Sequence, residues 1–517
     1  MTAAESTREE MAAAFPADAL PLTREVFGAL NAAGVRYCHW KSTTALALGL
    51  AGQTDLDLLV DRDDAGAFST IVRGAGFKPF ISHPSRRYVG VEDWLGHDRP
   101  SGRLVHLHVY YRLVLGEDYV KNHVLPIEKA VLDDVVMRNG VKVPAPATEL
   151  VILVVRALLK YRRTDAAKDA LRLGHRGGIA LNLRREVADL SDRASSDELR
   201  AAAARLVPSV PPEIFTDFVE VLRTNPRDAA VLLRLRAAMR RALRGFERLP
   251  ARRAQAVSLG ARLQRAPGLR RVLRPQSKAD LRRKSSAAGG LTVAVIGPDG
   301  AGKSTVIEEV VRWLGWRLSL RTAYLGTARP SPSTAVVQTM SRYARRADRR
   351  RLAGDGRAST PLGQAARLLA AVRYLAEARD RVSRAREGRR LAANGTLVLF
   401  DRYPLPWVRL ANRPVDGPRI AELHDGRSGG LLGLLQRREE AVYAAMPAPD
   451  LVILLSIEPE VALARKGDQD RTTIVAKARA VQEAARGAPR DGVVAVDASQ
   501  PLDAVVSQVE AAIWQRL

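Results

Sequence analysis

Cysteine is nearly absent from this chain: 517 residues hold one thiol, Cys38. A lone thiol excludes an intramolecular disulfide framework and a structural zinc site built on two or more thiolates, and it fits a reducing compartment. Acidic side chains are scarce as well, with 56 Asp and Glu against 82 Lys and Arg and a formal net charge of +26. Long apolar runs are missing. The strongest, residues 150–155, stops at Arg156, far short of the ~20 residues that span a bilayer. The opening residues are acidic and lack the apolar stretch of a secretory signal. These absences predict a cytoplasmic protein.

What is present is an ordinary globular composition, 46% hydrophobic and 27% charged, which excludes a wholly disordered chain. At about 150 residues per domain the length suggests roughly three domains. The positive charge is unevenly placed. Residues 231–290 hold 17 basic residues and two acidic ones, Glu247 and Asp280. Such a segment suits nucleic acid, an anionic membrane or phosphorylated metabolites, and equally the solvated faces of Arg-rich helices.

Residues 1–20 read as a flexible N-terminus. From 21 to 145, short β-rich runs, clearest at 56–60 and 103–111, mix with helical stretches in an α+β pattern. Residues 146–261 turn helical, opening with an apolar helix at 149–159. Residues 262–290 lose apolar periodicity, gain Pro267, Pro275 and a basic cluster, and read as a linker. Across 291–517, strand-like runs at 291–296, 322–325, 396–400, 451–456 and 493–496 alternate with helical segments. That alternation predicts an α/β domain, a parallel five-stranded sheet with helices on both faces.

Gly297, Pro298, Asp299, Gly300, Ala301, Gly302, Lys303 and Ser304 fit G-x-x-x-x-G-K-[ST], and Thr305 follows. The octet lies between an expected strand and an expected helix, the context that the chemistry requires. Glycines let backbone N–H groups turn inward on a phosphate, and the helix N-terminus adds partial positive charge. Lys303 would bridge the β- and γ-phosphates, and the Ser304 hydroxyl would ligate Mg²⁺. The motif predicts binding of ATP or GTP.

This loop, then Asp401-Arg402-Tyr403, then the segment from Pro449-Asp450 through Pro459-Glu460 to Arg465-Lys466, and last Asp497-Ala498-Ser499, resembles thymidylate kinase in content and order. The resemblance covers 291–517. It implies a P-loop kinase that moves the γ-phosphoryl of MgATP to a nucleoside monophosphate, dTMP first, with a small phosphate acceptor as partner and a homodimer left open. It places Asp401 near Mg²⁺ and the acceptor, Arg402 on the acceptor phosphate, and Asp299 at the acceptor sugar. Asp497, Ala498 and Ser499 would lie on the adenine side. Some family members carry an arginine inside the loop where this chain has Gly300, so the lid residues Arg465, Lys466 and Arg471 would supply the catalytic cation. Arg379 or Arg381 would also face acceptor phosphate. The chain departs from the family at Gly326-Thr327-Ala328-Arg329-Pro330-Ser331-Pro332, in the Arg-rich stretch 342–351 and at Asp416-Gly417-Pro418. Those segments would line the acceptor.

In the first part, Tyr37-Cys38-His39-Trp40-Lys41-Ser42 and the run from Gly49 through Gly52 to Asp55-Leu56-Asp57 resemble the nucleotidyltransferase fold. Two carboxylates at i and i+2 on a strand share a face, as a metal pair requires, so Asp55 and Asp57 are candidate metal ligands. The partner strand at 103–111 offers His106 and His108 where that fold carries a third carboxylate. Trp40 reads as core packing and Lys41 as a substrate-side cation. Four readings stay open: a kinase for dTMP, a kinase for a sugar or polysaccharide precursor, a nucleotidyltransferase with a nucleotide-sensing P-loop module, and a nucleotide-gated binding protein that uses the basic middle segment on nucleic acid or an anionic membrane.

Overall fold

The computed structural model describes residues 14–117, 120–170, 181–263, 283–355, 361–410, 413–423, 430–465, 471–487 and 490–517. The chain divides into two compact units, Met1–Leu281 and Arg282–Leu517. Among the described residues no helix is long and apolar enough to cross a membrane.

The first unit has helices α1 (Pro21–Ala32) and α2 (Ala65–Gly74) against strands β1 (Tyr37–His39), β2 (Leu56–Val60), β3 (Lys78–Ile81), β4 (Val91–Asp98) and β5 (Arg103–Tyr110). Their order is β1-β2-β5-β4-β3, with β2 parallel to β5 and the other neighbours antiparallel. Val26, Phe27 and Leu30 of α1 share a core with Phe68 and Val72 of α2 and with Leu56, Leu58 and Val60. Strand β4 is not legible as an apolar run, because Glu92, Asp93, His97 and Asp98 interrupt it. It forms because β3 and β5 pair with its backbone on both sides.

The expected apolar helix is α3 (Pro146–Lys160), with proline in its first turn. Residues 150–155 are all buried. Helices α4 (Arg163–Ala170), α5 (Leu181–Arg193), α6 (Ser196–Leu206), α7 (Glu213–Thr224), α8 (Ala229–Ala242) and α9 (Ala251–Leu263) follow. Leu190, Leu199, Phe215, Phe218, Leu232 and Met239 from this set close one core with α3.

The second unit runs β6 (Leu291–Ile296), α10 (Lys303–Leu314), β7 (Leu320–Tyr324), α11 (Pro332–Asp355), α12 (Pro361–Ala393), β8 (Leu397–Asp401), α13 (Gly430–Ala444), β9 (Leu451–Ser456), α14 (Pro459–Arg465), α15 (Arg471–Arg486), β10 (Val493–Asp497) and α16 (Leu502–Arg516). The five expected strands are present, each end within two residues of its expected place. The sheet order is β7-β8-β6-β9-β10, parallel throughout. All of β6 is buried, which is why Leu-Thr-Val-Ala-Val-Ile reads as a continuous run. Of the expected linker, 264–282 lie outside the described residues. Its last residues join the second unit: Lys284 N donates to Arg317 O at 2.8 Å and Ser286 N to Gly395 O at 3.0 Å.

Gly290 leads into β6 with no space for a side chain. A Cβ there would lie 2.1 Å from Thr396 O, a backbone atom that cannot swing aside. Gly290→Ala is expected to destabilise the second unit by about 1–3 kcal/mol, read as a lower denaturant midpoint for its transition. An unchanged midpoint would mean that the two strands do not approach as described.

Candidate active site

At the end of β6 the backbone turns sharply. Gly297 is pressed on its neighbours, with a Cβ falling 2.9 Å from Leu455 O. Gly300 and Gly302 have φ of +95° and +80°, a region that side-chain-bearing residues rarely adopt. Gly302 caps α10, whose first turn holds no acidic residue, so the positive helix end is not neutralised from within. Ala301 is buried, and Ser304 and Thr305 are exposed in the first turn. Lys303 folds back on the loop, donating to Gly297 O at 2.9 Å and Pro298 O at 2.8 Å.

Asp299 gathers three cations. Arg402 Nη2 donates to its Oδ1 at 3.0 Å, Lys477 Nζ reaches its Oδ2 at 3.3 Å, and Lys303 Nζ lies 3.8 Å from Oδ1. Arg402 reaches this point from a left-handed backbone, φ +68°, and its other guanidinium nitrogen faces Asp416, itself at φ +59°, at 3.7 Å. Burial pulls the Asp299 carboxyl up, but Lys477, Lys303 and Arg402 outweigh it and hold the group below its ordinary value. Burial lowers Lys303 to about 8 against the opposing pull of Asp299. Arg402 is raised, its burial outweighed by Asp416 and Asp299.

Asp401 ends β8, paired in register with Val295 of β6. Its Oδ1 is buried without a hydrogen-bond partner among the described residues. It shares a cavity of about 690 Å³ with Ser304, Tyr324, Arg321 and Arg329. An orphaned carboxylate oxygen in the same cavity as the loop hydroxyl is the donor set of an octahedral oxygen-ligated cation, so these residues fit Mg²⁺.

The remaining expected residues are placed differently. Arg465 donates to Ala498 O at 3.1 Å, tying the lid stem to the loop after β10. Arg471 is exposed and lines a separate cleft with Arg409 and Arg479. Lys466 lies outside the described residues. Asp497 accepts from Ser499 N and Oγ at 2.9 and 2.6 Å, closing its own turn, and these bonds hold its carboxyl low. Arg381 is 5% exposed and donates to Leu325 O, Tyr443 Oη and Asp416 O. It braces the loop at Asp416, and Arg379 faces another cleft beside Arg386 and Arg438. The cation beyond β9 that does reach the loop is Lys477 of α15, which the sequence does not single out. It carried one signal: after Gly290 the chain has three lysines, Lys303, Lys466 and Lys477, in an arginine-rich background.

In the first unit, Asp55 and Asp57 do share a face, opposite His106 and His108 of β5. His106 bridges two carboxylates, Nδ1 at 3.0 Å from Asp55 Oδ1 and Nε2 at 2.9 Å from Asp93 Oδ1. Asp57 lies between Lys41 Nζ at 2.7 Å and His108 Nδ1 at 3.1 Å. Burial raises the Asp57 carboxyl, yet Lys41 and His108 hold it well below its ordinary range. Glu149 of α3 fixes the lysine loop by accepting from Thr43 N at 2.9 Å. Asp93, on the strand that the apolar pattern hid, joins Asp55 through His106. Trp40 is buried, edge-on to Tyr110 at 5.0 Å between centroids. Among the described residues no group of three or more His, Cys, Asp or Glu is arranged to hold a metal. Both Asp57 oxygens are engaged, by Lys41 and His108, and Asp93 is held by His106 and Ser82, so these two carboxylates are satisfied without a metal.

A parallel sheet in this order, with a phosphate-binding loop after its central strand, defines the second unit as a P-loop kinase fold. No family model matches the chain. The uncharacterized ATP-binding protein YghS of Escherichia coli is 30% identical over 193 residues, covering 36% of this chain and 77% of that protein, and the chain belongs to its family. A thymidylate kinase from Lactobacillus helveticus is 28% identical over 238 residues, 44% of this chain and 97% of that enzyme. The solved thymidylate kinase of Candida albicans covers 44% of this chain and 92% of its own at 18% identity, with a TM-score of 0.27.

The charges around Lys303 have opposite effects on it. Asp299 raises its pKa and Arg402 lowers it. Asp299→Asn is therefore expected to move the Lys303 pKa below about 8, and Arg402→Gln to move it above, each measured by competitive amine labelling across pH 6–10. Equal labelling curves for wild type and both variants would show that the three groups are not coupled.

Proposed function

We propose that this chain is an ATP-dependent phosphotransferase whose second unit moves the γ-phosphoryl group of MgATP to a small phosphate-bearing acceptor, with dTMP the first candidate. The observation that carries the reading is the set of three cations held by Asp299 at the mouth of the phosphate-binding loop. On this reading Lys303 leaves the Gly297 and Pro298 carbonyls for the β- and γ-phosphate oxygens. Arg402 and Lys477 flank the transferring group, so charge that develops on it meets fixed donors. Ser304 and Asp401 would hold Mg²⁺, which when bound offsets charge on the phosphate oxygens. One P–O bond to ADP breaks and one to the acceptor oxygen forms. A phosphate acceptor is already ionised and needs no general base, whereas a hydroxyl acceptor would need Asp299 or Asp401 to take its proton. Arg321 and Arg329 on the cavity wall favour the phosphate acceptor.

The likeness to a thymidylate kinase supports the nucleotide acceptor. The loop 326–332, which departs from that family, supports a second reading in which the chemistry is the same and the acceptor is a sugar or polysaccharide precursor. We read the first unit as a binding module that does not transfer nucleotides, because Lys41 and His108 already satisfy Asp57.

Coupled ADP release is the test, run with dTMP, other nucleoside monophosphates, sugar phosphates and hydroxyl acceptors. Lys303→Ala and Asp401→Asn are each expected to lower kcat by about 10²–10³-fold, and Lys477→Gln to lower kcat more than it changes KM for ATP. ADP release that no acceptor stimulates above the ATP-only rate would sink the kinase reading. Pyrophosphate release that disappears in Asp55→Ala would overturn the reading of the first unit.

A further inference from the structure

The first unit contains a hollow that neither the phosphate-binding loop nor the carboxylates of β2 use. It encloses about 670 Å³ where Gly116, Glu117, Val120, Asn122 and His123, the start of α4, α8 and α9 meet. Arg236 and Arg240, one turn apart on α8, face it together with Arg162, Arg163 and Arg252. Glu117 lies on its wall, Asp165 holds Arg162 through two hydrogen bonds at 2.9 and 3.1 Å, and Glu247 stands 3.9 Å from Arg240. Gly116 lines it at φ +119°, and a Cβ there would meet Asn122 N at 3.2 Å and His123 Nδ1 at 3.6 Å.

Three side-chain nitrogens on the wall, both of His123 and Nε of Arg236, are enclosed without a hydrogen bond. His123 is 2% exposed, and neither ring nitrogen has a hydrogen-bond partner. Glu247 Oε1 stands 3.5 Å from Nε2. Arg236 Nε is buried and unbonded, with Glu117 3.5 Å from the other end of the guanidinium. Burial, helped by Arg240, pushes His123 down to about 4, so its ring is neutral and offers one N–H. Burial and the neighbouring Arg240 and Arg163 pull Arg236 below its ordinary value. Cations that depress one another inside a hollow are relieved by an anion placed between them.

We propose that this hollow binds a small molecule carrying two or more phosphate groups. Planar guanidinium forks grip phosphate oxygens in pairs, and forks from three helical segments converge on more oxygens than one phosphate presents. The volume falls in the range of about 300–1,000 Å³ usual for small-molecule sites. The enclosed His123 nitrogens lie beyond the reach of a broad polyanion resting on the surface, which argues against nucleic acid or a membrane as the occupant. The step is binding alone, with no bond made or broken.

The test uses the full chain carrying Lys303→Ala, which silences the phosphate-binding loop, with ring-¹³C-labelled histidine and His123→Gln to assign the resonance. Inorganic tripolyphosphate at constant ionic strength is the probe. The His123 signal is expected to move saturably, and Arg236→Gln and the exposed Arg163→Gln are each expected to weaken the titration by about tenfold or more. Unchanged thermal midpoints without ligand would show both variants folded; should Arg236→Gln unfold, Arg163→Gln alone decides. A His123 signal that stays still, or moves equally with sulfate, would overturn the proposal. So would affinity unaltered in the folded variants, or a response only to a DNA duplex or anionic vesicles.

Discussion

One carboxylate, Asp299, makes the rest of the second site tenable. Lys303, Arg402 and Lys477 converge within 4 Å of it, beside a helix end that is itself positively polarised. Two like charges 4 Å apart repel by about 4 kcal/mol at an effective dielectric of 20. Without a central anion these side chains would turn to solvent, and the loop would lose its arranged donors. With it, the three cations stay gathered at the loop. A triphosphate carries more negative charge than one carboxylate and accepts more hydrogen bonds, so exchanging Asp299 for phosphate at Lys303 is electrostatically downhill.

The fold delivers these groups through register and strain. Parallel pairing of β6 with β8 sets Asp401 beside Val295, so the chain leaves β8 next to the phosphate-binding loop and the following residue is Arg402. A regular continuation would carry that side chain past the loop. Instead Arg402 and Asp416 both take left-handed backbone conformations, which cost of order 1–3 kcal/mol each for residues other than glycine. Their mutual ion pair and the contact of Arg402 with Asp299 help to offset that cost. Arg381 bonds to the backbone on both sides of this junction, Leu325 O and Asp416 O, and so braces it.

What could be read from the sequence was what is local in the chain. The phosphate-binding loop is eight consecutive residues doing one job with their backbone. The three central strands of the second unit, β6, β8 and β9, are buried on both faces and therefore read as nearly unbroken apolar runs. Asp55 and Asp57 sit two apart on a strand, and their shared face follows from the pleat alone. What escaped depended on partners distant in sequence. Lys477 meets Asp299 across 178 positions, and nothing in the period of α15 says which turn faces the loop. Asp93 was hidden because β4 owes its existence to two neighbouring strands and not to its own pattern. Arg465 and Arg471 were expected at the phosphates because they flank the lid, yet proximity in sequence does not aim a side chain, and Arg465 turns instead to Ala498.

The basic excess of the helical half shows the same distinction between composition and placement. Counted along the chain, the arginines of 231–290 fit a polyanion surface as well as a solvated helix. On α8 they separate: Arg234 is exposed, while Arg236 and Arg240 are half-buried on the face that holds Leu232, Leu235 and Met239 in the core. A guanidinium kept at the edge of a core forfeits hydration, and a chain selected for solubility alone would turn it outward. Here two do so beside a histidine stripped of hydrogen bonds, around a space that stays open. Charge used in that way is shaped by something that enters the space, and the same logic, a hollow whose walls await an anion, governs the loop at Asp299.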